Sequence, residues 1–305
     1  MKDVYTLGDL QGWKEATADE EFPIRLGVLG DPVAQSLSPP MQNAGLEATG
    51  IGARYARFQI SPNELEDALG LLRRLEFIGV NLTAPHKLAA FALVDEVEEQ
   101  AQKIGAINTI VFRDGRSLGY NTDGPGFLHA VHEQFSVDLR DLRVLLLGAG
   151  GGAGRALAWQ CALENCERLV LVSRTFGKAQ ALVRELAGYF SGPRVLGPEA
   201  RLEAVRWENT ILRTQLARTD LVIHATPLGL NRADPSPLPP ALIAPHLMFY
   251  DLIPKKAPTR LLADAAAAGA RGANGLTMLL HQGALAFELW FDHPAPLAAM
   301  RAALT

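Results

Sequence analysis

The sequence predicts an α/β protein of two lobes, one of them a doubly wound dinucleotide-binding unit of Rossmann type. Three observations carry this. The chain has 305 residues, enough for about two domains with a sizeable core each. Apolar strand-like runs alternate with helix-forming segments from Ile24 onward, the pattern of a parallel sheet covered by helices. A glycine cluster, Gly148-Ala149-Gly150-Gly151-Gly152-Ala153-Gly154, joins an apolar run to a helix-forming segment.

Element by element, residues 1–22 read as a polar extension rich in acidic groups. Residues 24–29 and 54–60 are predicted strands. The segment after the first strand contains Ser36-Leu37-Ser38-Pro39, where Pro39 favours extended backbone before it, so Ser36 and Ser38 can turn two hydroxyls towards one anion. Ser38 also fits as a plain N-cap. Ser61-Pro62-Asn63-Glu64 is a capping box that opens a helix. Residues 77–82 are a third strand, followed by a helix from about Pro85. Asn81 and Thr83 share a face at that strand's end. Lys87 falls just inside the predicted helix, where the dipole disfavours a cation. Residues 107–112 and 116–121 form a hairpin around Asp114-Gly115, with Asn108, Thr122 and Asp123 at its edges. Each polar cluster alone is ordinary turn chemistry; four in one lobe describe a hydroxyl-rich ligand.

The second lobe begins after a helix at residues 124–135 and holds the glycine cluster. Gly148 suits the tight turn, Gly150 the approach of backbone N–H groups to a pyrophosphate, and Ala153 close helix–strand packing. The same glycines would also serve a turn without ligand. The next strand, residues 168–172, ends in Ser173-Arg174-Thr175 with Lys178 beyond it. No carboxylate stands where an NAD site would place one for the ribose 2′-hydroxyl. A guanidinium fork, an ammonium and two hydroxyls favour a 2′-phosphate, hence NADP(H). A solvated basic loop with Thr175 as N-cap is the simpler alternative. Further strands are expected at residues 221–225 and 248–253, a helix at 259–268 ended by Gly269, and C-terminal helices at 276–291 and 296–304. Residues 199–218 read as a helix with a surface insertion. A small-molecule site is expected where the lobes meet.

Composition narrows the function. Hydrophobic residues make up 48% and charged residues 20%, and the net charge of −4 gives no reason to expect nucleic acid. No run is long enough to span a membrane, and no cysteine spacing suits a metal. The two cysteines, Cys161 and Cys166, fit reduced thiols in a cytoplasmic protein.

Taken together in this order, the motifs resemble the shikimate dehydrogenase family, which includes shikimate and quinate dehydrogenases. They are Ser36-Leu37-Ser38-Pro39, Asn81-Leu82-Thr83-Ala84-Pro85-His86-Lys87, Gly105-Ala106-Ile107-Asn108-Thr109 and Asn121-Thr122-Asp123-Gly124. The glycine cluster, Ser173-Arg174-Thr175 and Asn274-Gly275-Leu276-Thr277-Met278-Leu279-Leu280-His281-Gln282 complete them. The resemblance implies a substrate-binding domain at residues 1–123 and 275–305, and a dinucleotide-binding domain at 124–274. It implies reversible reduction of 3-dehydroshikimate to shikimate with NADPH, in a monomer or homodimer without nucleic-acid or membrane partners. Ser36 and Ser38 would hold the substrate carboxylate, and Asn81, Thr83, Asn108, Thr122 and Gln282 the ring hydroxyls or their pocket. Lys87 and Asp123 match the catalytic pair. Gly148, Ala149, Gly150, Gly151, Gly152, Ala153, Ser173, Arg174, Thr175, Lys178, Thr226, Gly275 and Met278 would bind the cofactor, with no metal.

The chemistry of those residues agrees, since a lysine and a carboxylate at one hydroxyl supply proton transfer and charge stabilisation. Several positions depart from the pattern. Gln35 and Gln42 stand where histidines are common, Ser173 where Asn is usual, and His224 where Asn is usual. Pro254 stands where many members carry a Tyr that contacts substrate and nicotinamide.

Overall fold

The computed structural model describes residues 2–191 and 200–305. The chain divides into two compact units, Met1–Gly126 with Leu280–Thr305, and Phe127–Leu279.

In the first unit the order is β1 (Tyr5–Thr6), α1 (Leu7–Gln11), α2 (Trp13–Ala16), β2 (Ile24–Gly30), α3 (Ser38–Ala48), β3 (Arg54–Gln59), α4 (Leu65–Arg74) and β4 (Gly79–Leu82). Then follow β5 (Glu96–Val97), α5 (Glu99–Ile104), β6 (Thr109–Arg113), β7 (Arg116–Tyr120) and the start of α6 (Asp123–Phe135). The seven strands form one sheet in the order β1-β3-β2-β4-β6-β7-β5. It is mixed, because β6 runs antiparallel to both β4 and β7. The hairpin turn has Asp114 at φ 53° and Gly115 at φ 72°, the geometry expected of this dipeptide. α4 follows the predicted capping box, in which Ser61 N–H and Oγ both donate to Glu64 Oε2 at 2.8 and 2.7 Å.

Residues 2–22, expected to be a polar extension of this domain, supply one of its edge strands and two short helices. Tyr5 pairs with Phe58 and Thr6 with Gln59 of β3. Tyr5, Trp13, Phe58 and Phe77 form an aromatic cluster with ring centroids 5.4 to 6.0 Å apart. Of the acidic residues that make the stretch read as solvated, Asp3, Glu15, Asp19 and Glu21 are exposed, whereas Asp9 closes the capping box of α1 and Glu20 accepts the Tyr5 hydroxyl at 3.0 Å.

The second unit contains the remainder of α6, then β8 (Arg143–Leu147), α7 (Gly152–Leu163), β9 (Arg168–Val172), α8 (Phe176–Leu186), β10 (Leu202–Val205), α9 (Asn209–Leu216) and β11 (Leu221–His224). β12 (Met248–Asp251), α10 (Arg260–Ala267), β13 (Arg271–Ala273) and the first turn of α11 (Leu276–Phe291) complete it. α11 continues into the first unit, where α12 (Leu297–Ala302) ends the chain. The six strands are all parallel in the order β10-β9-β8-β11-β12-β13. Numbered from β8, that is 3-2-1-4-5-6, the doubly wound arrangement whose order reverses beside the first strand. β8 and β9 are buried along nearly their whole length, which explains their unbroken Leu and Val runs. Where residues 199–218 were expected to give a helix with an insertion, the described part contains a strand, β10, as well as α9; Glu199 lies outside the described residues. Among the described residues no helix is long and apolar enough to cross a membrane.

Candidate active site

The first unit gathers its polar residues where β2, β4 and β7 end and β6 begins. The sequence predicts an α-helix from Pro85; the chain instead makes a turn and a short 3₁₀ stretch, Ala89–Ala92. The Lys87 carbonyl, which a helix would pass to a residue one turn on, accepts Ile107 N–H at 2.9 Å. Lys87 therefore faces no helix dipole, and its side chain is committed elsewhere. Lys87 Nζ sits 2.5 Å from Asp123 Oδ2, with 15% of the lysine side chain and 5% of the carboxylate exposed. The pair is close to buried.

Asn108 holds the other carboxylate oxygen, donating from Nδ2 to Asp123 Oδ1 at 2.8 Å. The same amide lies 2.9 Å from Thr122 Oγ1 and 3.4 Å from Gln282 Oε1. Its oxygen accepts Thr122 N–H at 2.8 Å and the Thr109 hydroxyl at 3.0 Å. Asn108 is thus fully engaged within the protein and acts as the hub that fixes Thr122, Asp123 and Gln282 relative to one another. Asn81 is similarly tied: Nδ2 donates to Thr109 Oγ1 at 3.0 Å, and Oδ1 accepts the Tyr55 hydroxyl at 2.8 Å. Such saturated networks hold side chains in one arrangement.

No sequence motif assigns a role to Tyr55, Thr109 or Arg57, yet all three bond to the site residues. Burial holds the Tyr55 phenol well above its usual pKa, against the opposing effects of a hydrogen bond with Ser38 and the charge of Arg57. It therefore links Ser38 to Asn81 as a neutral group. Arg57 donates from Nε and Nη2 to the Ser36 carbonyl at 3.1 and 2.8 Å, anchoring that loop. Ser36 and Ser38 were expected on an extended segment. Leu37 instead has helical dihedrals, φ −88° and ψ 0°, and α3 begins at Ser38 with no side-chain cap. The turn itself brings the serines together, Ser38 N–H donating to Ser36 Oγ at 3.3 Å. Thr83 is half-buried beside Gly30, where an added Cβ would lie 2.4 Å from the Thr83 methyl.

In the second unit, Gly148 has φ +99°, and a Cβ there would lie 2.7 Å from the Ala225 carbonyl and 2.9 Å from Thr226 Cγ2. Only glycine meets both demands. Gly151 precedes α7 without a side-chain cap, so the helix's first N–H groups receive no side-chain acceptor there. The close helix approach assigned to Ala153 occurs one residue later. A Cβ on Gly154 would lie 2.2 Å from the Gly148 carbonyl oxygen, whereas Ala153 is half-buried. The signal was present as a glycine six residues after Gly148 rather than an alanine five after.

Around Gly150, a Cβ would meet Ser173 Oγ at 2.8 Å and Lys178 Cδ at 3.1 Å, so the lysine stem lies over the turn. Thr175 occupies the N-cap position of α8 but makes no side-chain cap bond. Arg174 and Lys178 are exposed, and among the described residues their charged ends have no hydrogen-bonding or ionic partner. Arg174 lines a cavity of about 460 Å³ with Ser173, Phe176, Arg206, Trp207, Glu208 and Leu228. The Arg206 guanidinium lies 4.8 Å from the Phe176 ring centroid. Open backbone donors at a helix start, a glycine-cleared approach and unspent cations fit a dinucleotide bearing an extra phosphate. Gly275 packs against β12's continuation, where a Cβ would lie 2.1 Å from the Leu252 oxygen, and Met278 N–H donates to the Tyr250 hydroxyl at 3.1 Å.

His224 is fully buried and bonded on both ring nitrogens. Nδ1 lies 2.9 Å from Asp251 Oδ1 and Nε2 2.5 Å from Thr226 Oγ1. Among the described residues no group of three or more His, Cys, Asp or Glu could hold a metal ion.

One unit of Rossmann type and another carrying a lysine–carboxylate pair in a polar network define a two-domain dinucleotide-fold protein. Residues 28–110 match the shikimate dehydrogenase substrate binding domain, and residues 275–305 match the shikimate 5′-dehydrogenase C-terminal domain. The NADP(+) shikimate dehydrogenase of Symbiobacterium thermophilum is 41% identical over 280 residues, covering 91% of this chain and 92% of that protein. Among solved structures, the shikimate 5-dehydrogenase of Thermus thermophilus in complex with NADP(H) and shikimate is 38% identical. It matches with a TM-score of 0.79 over 92% of this chain and 98% of its own. The shikimate dehydrogenase of Aquifex aeolicus is 32% identical, with a TM-score of 0.82 over 94% of this chain and 98% of its own. The chain belongs to the shikimate dehydrogenase family.

Proposed function

We propose that the protein catalyses the reversible NADPH-dependent reduction of 3-dehydroshikimate to shikimate. The observation that carries this is Lys87 Nζ at 2.5 Å from Asp123 Oδ2, with Asn108 holding the second carboxylate oxygen. Bound NADPH would supply a hydride to the ring carbonyl carbon. The glycine turn and α7 would hold its pyrophosphate, and Arg174 and Lys178 its 2′-phosphate. Lys87 and Asp123 deliver a proton to the carbonyl oxygen as it becomes an alcohol, and remove it in the reverse direction. The lysine charge steadies the oxygen as negative charge develops. Ser36 and Ser38 hold the substrate carboxylate, while Thr83, Thr122 and Gln282 meet ring hydroxyls. Asn81 and Asn108, already bonded within the protein, serve as the floor that positions them. On this reading the protein works in the cytoplasm, where the buried thiols Cys161 and Cys166 stay reduced.

Assaying shikimate oxidation with NADP+ and separately with NAD+ tests this directly: turnover with NADP+ preferred is expected, and no turnover with either refutes it. Pro254 motivates a second reading, in which quinate or another cyclohexane carboxylate is preferred, because proline lacks the hydroxyl many family members offer at that position. Comparing kcat/KM for shikimate and quinate separates the two.

A further inference from the structure

We propose that Asp251 and His224 form a buried relay that sets the direction of the Thr226 hydroxyl, making it a pure hydrogen-bond acceptor for the nicotinamide half of the cofactor. The inference rests on the reading of the second unit as an NADP(H) site. His224 and Asp251 are the last residues of β11 and β12 and are direct partners across those strands. Both are fully buried.

The polarity can be traced outward from Asp251, both of whose carboxyl oxygens accept a neighbouring donor. Oδ2 takes the hydroxyl of Thr259 at 2.5 Å, and Oδ1 takes Ile253 N–H at 3.2 Å. Thr259 has no other use for its proton, because its oxygen already accepts Leu262 N–H at 3.3 Å as the cap of α10. Facing a carboxylate oxygen at 2.9 Å, His224 Nδ1 must carry a hydrogen. The relay takes the ring with a hydrogen on Nδ1 alone, so that Nε2 accepts and its 2.5 Å neighbour Thr226 donates to it. Leu228 N–H occupies one lone pair of Thr226 Oγ1 at 3.2 Å. One lone pair remains, and no hydrogen. Thr226 can therefore receive a donor but cannot serve an acceptor.

Topology says which half of the cofactor meets it. A dinucleotide lies across the point where strand order reverses, here between β8 and β11. Arg174, after β9, marks the side of the 2′-phosphate and so of the adenosine. Thr226 follows β11 on the opposite side, beside the Gly148 turn. The nicotinamide nucleotide offers two kinds of donor, ribose hydroxyls and the carboxamide NH2. His224 is a positioning residue in this scheme; Thr226 makes the contact.

The test combines spectroscopy, binding and a mutant cycle. In the protein without cofactor, ¹⁵N NMR of the histidines should show His224 as the neutral ring with hydrogen on Nδ1; hydrogen on Nε2 overturns the scheme. NADP+ affinity, read by calorimetry without any turnover, should fall about three- to tenfold in His224→Asn and equally in Thr226→Val. The double variant should fall no further than Thr226→Val alone, and KM for shikimate should stay unchanged. Multiplicative losses in the double variant, or unchanged affinity in folded Thr226→Val, overturn the proposal. Should His224→Asn fail to fold, the tautomer and Thr226→Val still decide it. The acetylpyridine analogue, which lacks the amide hydrogens, separates the two donors. If Thr226→Val weakens NADP+ but not the analogue, the partner is the carboxamide; if it weakens both, the partner is a ribose hydroxyl. Absence of any NADP+ binding by the wild-type protein refutes the cofactor reading itself, a separate outcome.

Discussion

Replacing Lys87 by methionine keeps most of the stem and deletes the ammonium, which makes it the sharpest probe of the proposed chemistry. Two effects should appear together. Loss of proton transfer and of the charge beside the reacting oxygen should lower kcat by about 10²- to 10⁴-fold. KM for shikimate should move only a few-fold, because the Asn108 hub that fixes Thr122 and Gln282 does not pass through Lys87. Stability should also fall. Asp123 loses the partner 2.5 Å away in a nearly closed setting but keeps the Asn108 donor at 2.8 Å. Breaking a buried pair costs about 3–5 kcal/mol, and the retained donor places this case at about 3 kcal/mol or less. Adding Asp123→Asn removes the stranded charge, so the double variant should regain thermal stability without regaining turnover. Steady-state kinetics with NADP+ and shikimate, beside thermal unfolding of all three proteins, reads both effects. A folded Lys87→Met protein with kcat within tenfold of wild type refutes the assignment and leaves Lys87 a structural ion-pair partner.

Three further outcomes follow from other parts of the molecule. Arg174→Ala should cut the preference for NADP+ over NAD+ by about ten- to hundredfold, the worth of a charge-assisted contact, as read from the ratio of kcat/KM values. Gly154→Val should weaken cofactor binding and lower stability by about 1–3 kcal/mol, because even a Cβ would press on the Gly148 carbonyl at 2.2 Å; calorimetry and denaturant titration check it. Burial alone would raise the Asp220 carboxyl, but the hydrogen bonds and charge of Arg143 win and hold it below the usual carboxylate range. With its folded pKa lowered, Asp220 contributes stability above about pH 4, and that contribution disappears as pH falls through the folded value. The stability gap between wild type and Asp220→Asn, about 1 kcal/mol for this partly exposed pair, should therefore close in acid. A gap that persists or widens in acid contradicts the assignment.

The second unit was the more readable part of the molecule. β8 and β9 are buried on both faces, so their apolar runs stand out, and the glycine turn carries its geometry in its composition. β10 escaped because it is a four-residue strand at the sheet edge, half-exposed at Leu202, Glu203 and Ala204 and buried only at Val205, too short to show an alternating pattern. Local rules misplaced Lys87: the sequence after Pro85 resembles a helix start, and only a distant amide, Ile107 N–H, diverts the carbonyl a helix would need. Candidate site residues were legible as polar clusters at strand ends, since each cluster is local. The links among them were not. Tyr55 meets Asn81 across 26 positions and Asn108 meets Gln282 across 174, separations that leave no periodic trace. Arg57 and His224 reveal their tasks only through the carbonyl and carboxylate brought beside them by the fold.

The pairing of Tyr5 and Thr6 with β3 matters to anyone handling this protein. Those few residues act as a bumper on the rim of the first sheet. Trim them, and the Phe58–Gln59 end of β3 loses its neighbour, lengthening the stretch of edge onto which a strand from another molecule can zip. Loss of the opening segment would then show itself first as clumping in the tube, well before any change in how each surviving molecule works.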